Sequence, residues 1–365
     1  MLLHHTFSGL AVPSNGWHYP VNLLVHLAKI GWLGVSLFLV LSGFCLFYPL
    51  AARYDLDKIH LQVSTFARRR AWRILPPYYV ALVLLAGLEI SINWHHSGQW
   101  TWHSVFSSKK DILLHLLMLH NLTSETIASV SPAFWSLALE CQLYVIFPLL
   151  VFCAARFGLK SILVGTFAIT IFWQIICFHR LGFSMAWTNE YAVWYHALPG
   201  RCFEFAAGMV AAFFVARPRA GQEKIAGLLV VVLLGPALYF VLKVSRFGPF
   251  CDQAWGLIFA GSLVLLRGIP VSHFDTQPLL RGLVWTGTIS YSIYLMHQPL
   301  ISIISPHMMH LPETLSGYYV AGFLRLPLLI AIGYGFHLLF ERPFMPGRPR
   351  TERQAEIAAI VSPAP

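Results

Sequence analysis

The sequence predicts an all-α membrane protein, a bundle of about ten transmembrane helices, and three observations carry that reading. Hydrophobic residues make up 57% of the 365 and charged residues 11%, against roughly 25% charged in an ordinary soluble domain. Mean hydropathy is +0.65. Windows of about 20 residues, long enough to cross a hydrocarbon core of about 30 Å, carry few or no charges, and residues 31–50 carry none. These windows require helix. A barrel strand would alternate apolar and polar residues over about ten positions, and an open strand cannot satisfy its backbone in lipid.

In chain order the expected spans are 1–12, 31–50, 74–91, 134–154, 161–178, 201–216, 225–243, 251–266, 284–304 and 318–340. The first is too short to cross. Its "MLLHHTFSGLAVP" puts His4 and His5 inside an apolar segment with no charged leading region, so it is not a signal peptide. The expectation is that the sequence begins inside a first helix truncated at its N-terminus. The long loop 93–133 contains "DILLHLLMLHNL", too short to span and expected to lie at the interface or re-enter it. His95, His96 and His103 read as a solvated loop and not as a metal site, since no carboxylate or cysteine is spaced to complete one. Cys45, Cys141, Cys153, Cys177, Cys202 and Cys251 fall mostly inside spans without a CxxC, so no disulfide framework is implied. There is no internal repeat. Residues 1–342 are expected to form one transmembrane domain, and the Pro- and Arg-rich 343–365 a flexible basic tail.

The formal net charge of +10 reports topology and not a nucleic-acid partner, because the basic residues alternate by loop. One set of loops holds Arg53, Lys58, Arg68, Arg69, Arg70 and Arg73, then Arg156 and Lys160, Arg217, Arg219 and Lys224, Arg267 and Arg281, and the tail with Arg342, Arg348, Arg350 and Arg353. The other set holds only Lys29, Lys109, Lys110, Arg180, Lys243 and Arg246. By the positive-inside rule both termini are cytoplasmic, which demands an even number of spans.

Polar residues inside the spans then acquire depths. A carboxylate in hydrocarbon costs about 2.5–3.5 kcal/mol on insertion scales, yet "PAFWSLALECQLYVIFPLL" keeps Glu140. Ser136, Glu140 and Tyr144 recur at i, i+4 and i+8, so one face offers hydroxyl, carboxylate and phenol; the alternative is a helix–helix hydrogen bond that only holds the bundle together. Arg201 and Glu204, an i, i+3 pair, can neutralise each other. His5 and His297 bring imidazole, which titrates near 6.5 when unperturbed, to a depth comparable with Glu140, as packing residues or as a proton-handling site. On the cytoplasmic side "FARRRAWRILPPYY" gathers four arginines. Arg70 and Arg73, one turn apart, can clamp phosphates bidentately or serve as topology anchors, and "FERP" with Glu341 and Arg342 lies in the same layer.

These motifs, "LHHTF", "GVSLFLVLSGFCLFYPL", "RRRAWRILPPYY", "FWSLALECQLYVIFPLL", "RCFEFAAGMVAA", "TGTISYSIYLMHQPL" and "FERPF", occur in order along essentially the whole chain. Together they resemble the acyltransferase-3 family of integral membrane O-acyltransferases. The resemblance implies ten helices in a plasma membrane, the bacterial inner membrane. It implies an acyl-CoA donor, usually acetyl-CoA, entering from the cytoplasm as co-substrate with no permanently bound cofactor. The acceptor would be a hydroxyl of a carbohydrate, glycolipid or exported metabolite. Matched to the family's first-helix motif, His5 takes the place of the essential histidine, and the arginine expected eleven positions earlier would precede Met1. Arg70 and Arg73 match the basic pair that holds CoA phosphates. Ser42, Tyr144, Arg201, Glu204, Ser290, Tyr291, Tyr294 and His297 fall in family signatures and are carried over as site-lining.

The expected mechanism has His5 as general base on the acceptor hydroxyl, Glu140 orienting His5 or the acceptor in the outer half, and the arginines holding the donor below. No serine or cysteine has a nucleophile-elbow setting, so direct transfer is preferred to an acyl-enzyme, with an acyl-histidine as the variant. A small-molecule transporter and a non-catalytic scaffold are the rival readings. The repeats and matched broken helices of a transporter are not evident.

Overall fold

The computed structural model describes residues 30–98, 105–182, 188–243, 248–267, 276–308 and 315–345, together with Leu2, His5, Thr6, His103 and Ile269. Most of the expected first span and the tail beyond Met345 lie outside these. The helices are α1 (Gly34–Arg53), α2 (Val63–Ser97), α3 (Lys109–Leu116), α4 (Trp135–Phe157), α5 (Leu159–Leu181), α6 (Asn189–Tyr195), α7 (Leu198–Ala216), α8 (Gln222–Lys243), α9 (Gly248–Leu266), α10 (Pro278–Thr288), α11 (Ser290–Met308) and α12 (Leu315–Phe336). No strand occurs among the described residues.

Six of these helical stretches are long and apolar enough to cross a membrane, and Cys251–Leu266 is a shorter apolar helix. That is fewer than the expected ten, although every expected span after the first coincides with helix. The span 284–304 is broken: α10 ends at Thr288 and α11 begins at Ser290. The cause is local, since Thr286, Thr288 and Ser290 turn their hydroxyls back onto the carbonyls of Gly282, Trp285 and Gly287, which competes with the helical ladder. The last expected span also departs from α-helix, closing in a π-turn over His337–Glu341.

Helix α2 is 35 residues long, about 52 Å at 1.5 Å per residue, so its arginine-rich start projects beyond the apolar layer. Gly158, at φ 87°, ends α4 and begins α5, a left-handed turn that a side chain would strain.

The closest helix pair is α1 with α7. A Cβ on Gly43 would sit 2.0 Å from the Phe205 carbonyl oxygen, and one on Gly208 would sit 2.0 Å from that of Val40. Two glycines at one crossing let the backbones touch, the small-residue packing typical of membrane helices. At the ends of the same pair Arg217 donates to the Ala51 carbonyl (3.0 Å) and to Asp55 (2.6 Å), so the two helices run parallel. Around them forms one apolar cluster, with Leu39, Phe47, Leu143, Phe147, Phe205 and Met209. A second joins α2, α4, α11 and α12 through Tyr78, Phe134, Leu137, Leu295 and Leu329. The outward faces keep large apolar side chains such as Val145, Phe152, Val164 and Phe172 exposed, as a lipid-facing surface requires.

The apolar piece of the long loop forms α3, an eight-residue helix with its polarity reversed. Leu113 and Leu116 face outward while Asp111 and His115 are buried. Ser108 caps it by accepting from the Asp111 amide. His115 bonds Tyr78 Oη through Nδ1 and Ser129 Oγ through Nε2, both at 2.9 Å, and stacks on His120 at 4.0 Å. Burial pushes the His115 imidazole down to about 2 and that of His120 to about 4, which favours neutral rings in the stack even with Asp111 Oδ1 3.5 Å from His115 Nε2.

Candidate active site

A cavity of about 340 Å³ opens at the seam between the two apolar clusters, walled by α1, α2, α4 and α11. Its lining is graded. Arg73 is exposed and Arg70 half-buried, whereas Ser42 and Glu140 are buried. Helix α4 sets Glu140 and Tyr144 one turn apart, and the Tyr144 hydroxyl donates to Glu140 Oε1. Ser42 Oγ donates to the same oxygen at 3.1 Å and lies 3.3 Å from Tyr144 Oη. Glu140 is thus fixed from two helices. Tyr291 also lines the cavity and donates to the Ile74 carbonyl at 2.9 Å, tying α11 to α2. Among the described residues neither Arg70 nor Arg73 has an acidic partner, and Arg70 Nε is buried without a hydrogen-bond partner. The two guanidiniums thus stand at the mouth of a cavity whose floor is the buried Ser42 and Glu140 with Tyr144.

The structure brings Ser42, Arg70, Arg73, Glu140, Tyr144 and Tyr291 together. It puts Glu140 on the buried floor of the cavity whose mouth carries the two arginines. The two imidazoles form a second group. His5 and His297 have ring centroids 5.1 Å apart, and neither is among the described residues lining the cavity. Tyr294 stands between the two groups. It lines the cavity, hydrogen-bonds Ser136 Oγ at 2.5 Å and the Ala133 carbonyl at 2.7 Å, and has its ring 5.4 Å from that of His297. Its own carbonyl accepts from His297 Nδ1 at 2.8 Å. That bond requires a proton on Nδ1, since a carbonyl oxygen only accepts.

Arg201 and Glu204 belong elsewhere. Arg201 pairs with Glu204 (Nε to Oε2, 2.8 Å) and with Asp252 of α9, and donates to Ser36 Oγ of α1 at 3.1 Å. This buried cluster fastens three helices and takes no part in lining the cavity. Sequence reasoning passes over Asp252, which shares a window with few other charges. It also passes over Arg325, 1% exposed in the middle of α12, although the depth rule that singles out Glu140 applies equally to it. Glu341 accepts from Ser292 Oγ (2.5 Å) and pairs with His337 (2.8 Å), so the "FERP" glutamate closes the π-turn onto α11.

Residues 1–341 match the family model described as an acyltransferase domain, acyltransferase-3. The chain belongs to this family. Among similar proteins, the peptidoglycan O-acetyltransferase OatA of Listeria monocytogenes is 28% identical over 76% of this chain and 46% of its own length. The putative membrane-bound transacylase BcsY of Komagataeibacter xylinus is 26% identical over 83% and 74%. The acyltransferase MdmB of Streptomyces mycarofaciens is 30% identical over 75% and 69%. The chain therefore spans less than half the length of the Listeria relative. No solved structure matches the chain. Within this acyltransferase-3 chain the motifs do two jobs. Ser42, Arg70, Arg73, Glu140, Tyr144 and Tyr291 build the cavity, while Gly43, Gly208, Arg201, Glu204 and Glu341 hold the helices that wall it.

Proposed function

We propose that this chain is an integral membrane O-acyltransferase that moves an acyl group, acetyl in the simplest case, from acyl-CoA to a hydroxyl of a carbohydrate, glycolipid or exported metabolite. One observation carries the reading: two arginines without acidic partners at the exposed mouth of a cavity whose buried floor is Glu140, Ser42 and Tyr144. The mouth suits the phosphates of CoA. A space of about 340 Å³ suits its slender arm and thioester, with the nucleotide left at the surface. The relatives named for peptidoglycan O-acetylation support a glycan acceptor. The orientation that follows from the basic loops puts the arginine end and both termini in the cytoplasm of a bacterial inner membrane.

In the proposed reaction the acceptor oxygen attacks the thioester carbon as His5 takes its proton, and the tetrahedral species collapses with cleavage of the C–S bond. The thiolate leaves toward Arg70 and Arg73 and recovers the proton from His5. Positioning and one proton transfer, the latter worth about 10²–10⁴ in rate, suffice for an activated thioester. Glu140, held by Ser42 and Tyr144, orients the acyl arm or the incoming hydroxyl.

The test uses the full chain in proteoliposomes with labelled acetyl-CoA and a panel of sugars and glycolipids. Transfer of label by the wild type and its loss in His5→Ala is the expected result. Flux of a solute without CoA release would point to a transporter, and His5→Ala indistinguishable from wild type would remove the proposed base.

A further inference from the structure

Arg325 has no part in the reaction as written, yet its position is costly. It lies mid-helix in α12 and is 1% exposed, and a charged side chain at such depth costs about 2.5–3.5 kcal/mol on insertion scales. Among the described residues no carboxylate pairs with it. Its described hydrogen bond runs from Nη1 to the Thr6 carbonyl at 3.3 Å, and Nε is buried without a partner. A guanidinium offers five N–H donors in a fixed fork, so one main-chain carbonyl satisfies only part of it, and no carboxylate among the described residues compensates its charge.

The neighbours of Arg325 give that charge a context. Thr6 follows His5, whose ring lies 5.1 Å from His297. Helix α12 packs on α11 with Gly333 against Ile293, and Leu329 shares a cluster with Met296 and Leu300, so the two helices are antiparallel. Moving one turn from Gly333 and Ile293 along each helix reaches Leu329 and His297. One further turn of α12, about 5.4 Å, reaches Arg325. Three elements therefore converge: His5 and Thr6, α11 and α12 bring two imidazoles and one guanidinium that has no carboxylate partner among the described residues.

We propose that Arg325 is an oxygen-anion site at the His5–His297 centre. The anion is either the oxyanion that forms on the thioester carbonyl when the acceptor attacks, or a carboxylate or phosphate carried by the acceptor. In the first case the carbonyl electron pair moves onto oxygen beside the guanidinium as the new C–O bond forms, and returns as the C–S bond breaks. A fixed cation in a dry site stabilises that charge without reorganisation. This inference rests on the acyl-transfer reading.

The experiment compares wild type, Arg325→Gln and Arg325→Lys, each full-length in lipid nanodiscs. Labelled acetyl-CoA is the donor, glucose and glucuronic acid are a neutral and an anionic acceptor, and acetyl-CoA hydrolysis is the acceptor-independent readout. Gln keeps a neutral N–H donor on a shorter side chain, and Lys keeps the charge without the planar fork. For the thioester oxyanion, Gln lowers kcat about 100-fold with water and both sugars, Lys falls between, and the KM for acetyl-CoA stays within twofold. For an acceptor anion, Gln raises KM for glucuronic acid and leaves glucose unchanged. Wild-type rates in the Gln variant with all acceptors, or losses in both variants that follow a lowered thermal midpoint, would reduce Arg325 to a tether for Thr6 and overturn the proposal. Absence of CoA release from the wild type is a different failure, that of the acyl-transfer reading, and it takes this one with it.

Discussion

Glu140 shows what a single side chain contributes. Both described bonds, from Ser42 and from Tyr144, end on Oε1, so the carboxylate is held in one rotamer by two helices and presents its remaining face to the cavity. Glu140→Gln keeps the volume but removes the anion that accepts these two donors. The expected result is a fall of about 100-fold or more in acetyl transfer, with acetyl-CoA binding retained. An unimpaired variant, assayed by CoA release with acceptor present, would contradict the role. This residue was legible in the sequence because one acid in a long apolar run is conspicuous and its i, i+4 partner is a tyrosine. Arg325 and Asp252 obey the same depth rule, but no local pattern names their partners. Thr6 is over three hundred residues from Arg325 in the chain, and Asp252 meets Arg201 only once α9 lies against α7. Spacing along one helix can be read from sequence; a meeting between helices cannot.

At the scale of helices, the "SGF" and "EFAAG" motifs are explained by a crossing. Ser42 faces the cavity while its neighbour Gly43 faces α7, and Gly208 answers it from the other side. A Cβ at either glycine collides with backbone, which cannot move aside as a side chain can. Gly43→Ala is expected to destabilise the bundle by about 1–3 kcal/mol or more through overpacking. By contrast Gly87→Ala in α2, with nothing within 4 Å of the added carbon, is expected to be neutral or to stabilise by about 0.5–1 kcal/mol through helix propensity. Thermal unfolding of the two variants in one detergent checks the pair; equal midpoints would show that the crossing is less tight than described. Helix positions were legible because continuous apolar windows leave little choice. The break at Ile289 was not, since it arises from three hydroxyls that merely look tolerable within an apolar stretch. The reversed polarity of α3 was also hidden, because the partners that enclose Asp111 and His115, Ser129 and Tyr78, lie outside that short helix.

For the whole molecule, the two apolar clusters form separate blocks that meet along the cavity, and each contributes part of its lining. One block brings Ser42 on α1 and the other brings Arg70 and Arg73 on α2, with α4 shared. From the sequence, Ser42, Arg70, Arg73, Glu140, Tyr144 and Tyr291 were named among residues that line the cavity, but depth and motif alone could not separate them from Arg201 and Glu204, which bind helices together elsewhere. The central claim is that this space is the donor site. Its most direct test is calorimetric binding of acetyl-CoA to the purified full-length chain, wild type against Arg70→Ala and Arg73→Ala, repeated with 3′-dephospho-CoA and at raised salt. The account predicts that each variant binds acetyl-CoA about 10-fold or more weakly, as loss of a charge-assisted phosphate contact implies. It also predicts that salt weakens the wild type more than either variant, and that removing the 3′-phosphate costs the wild type more than at least one of them. Unchanged affinity in both variants would contradict it.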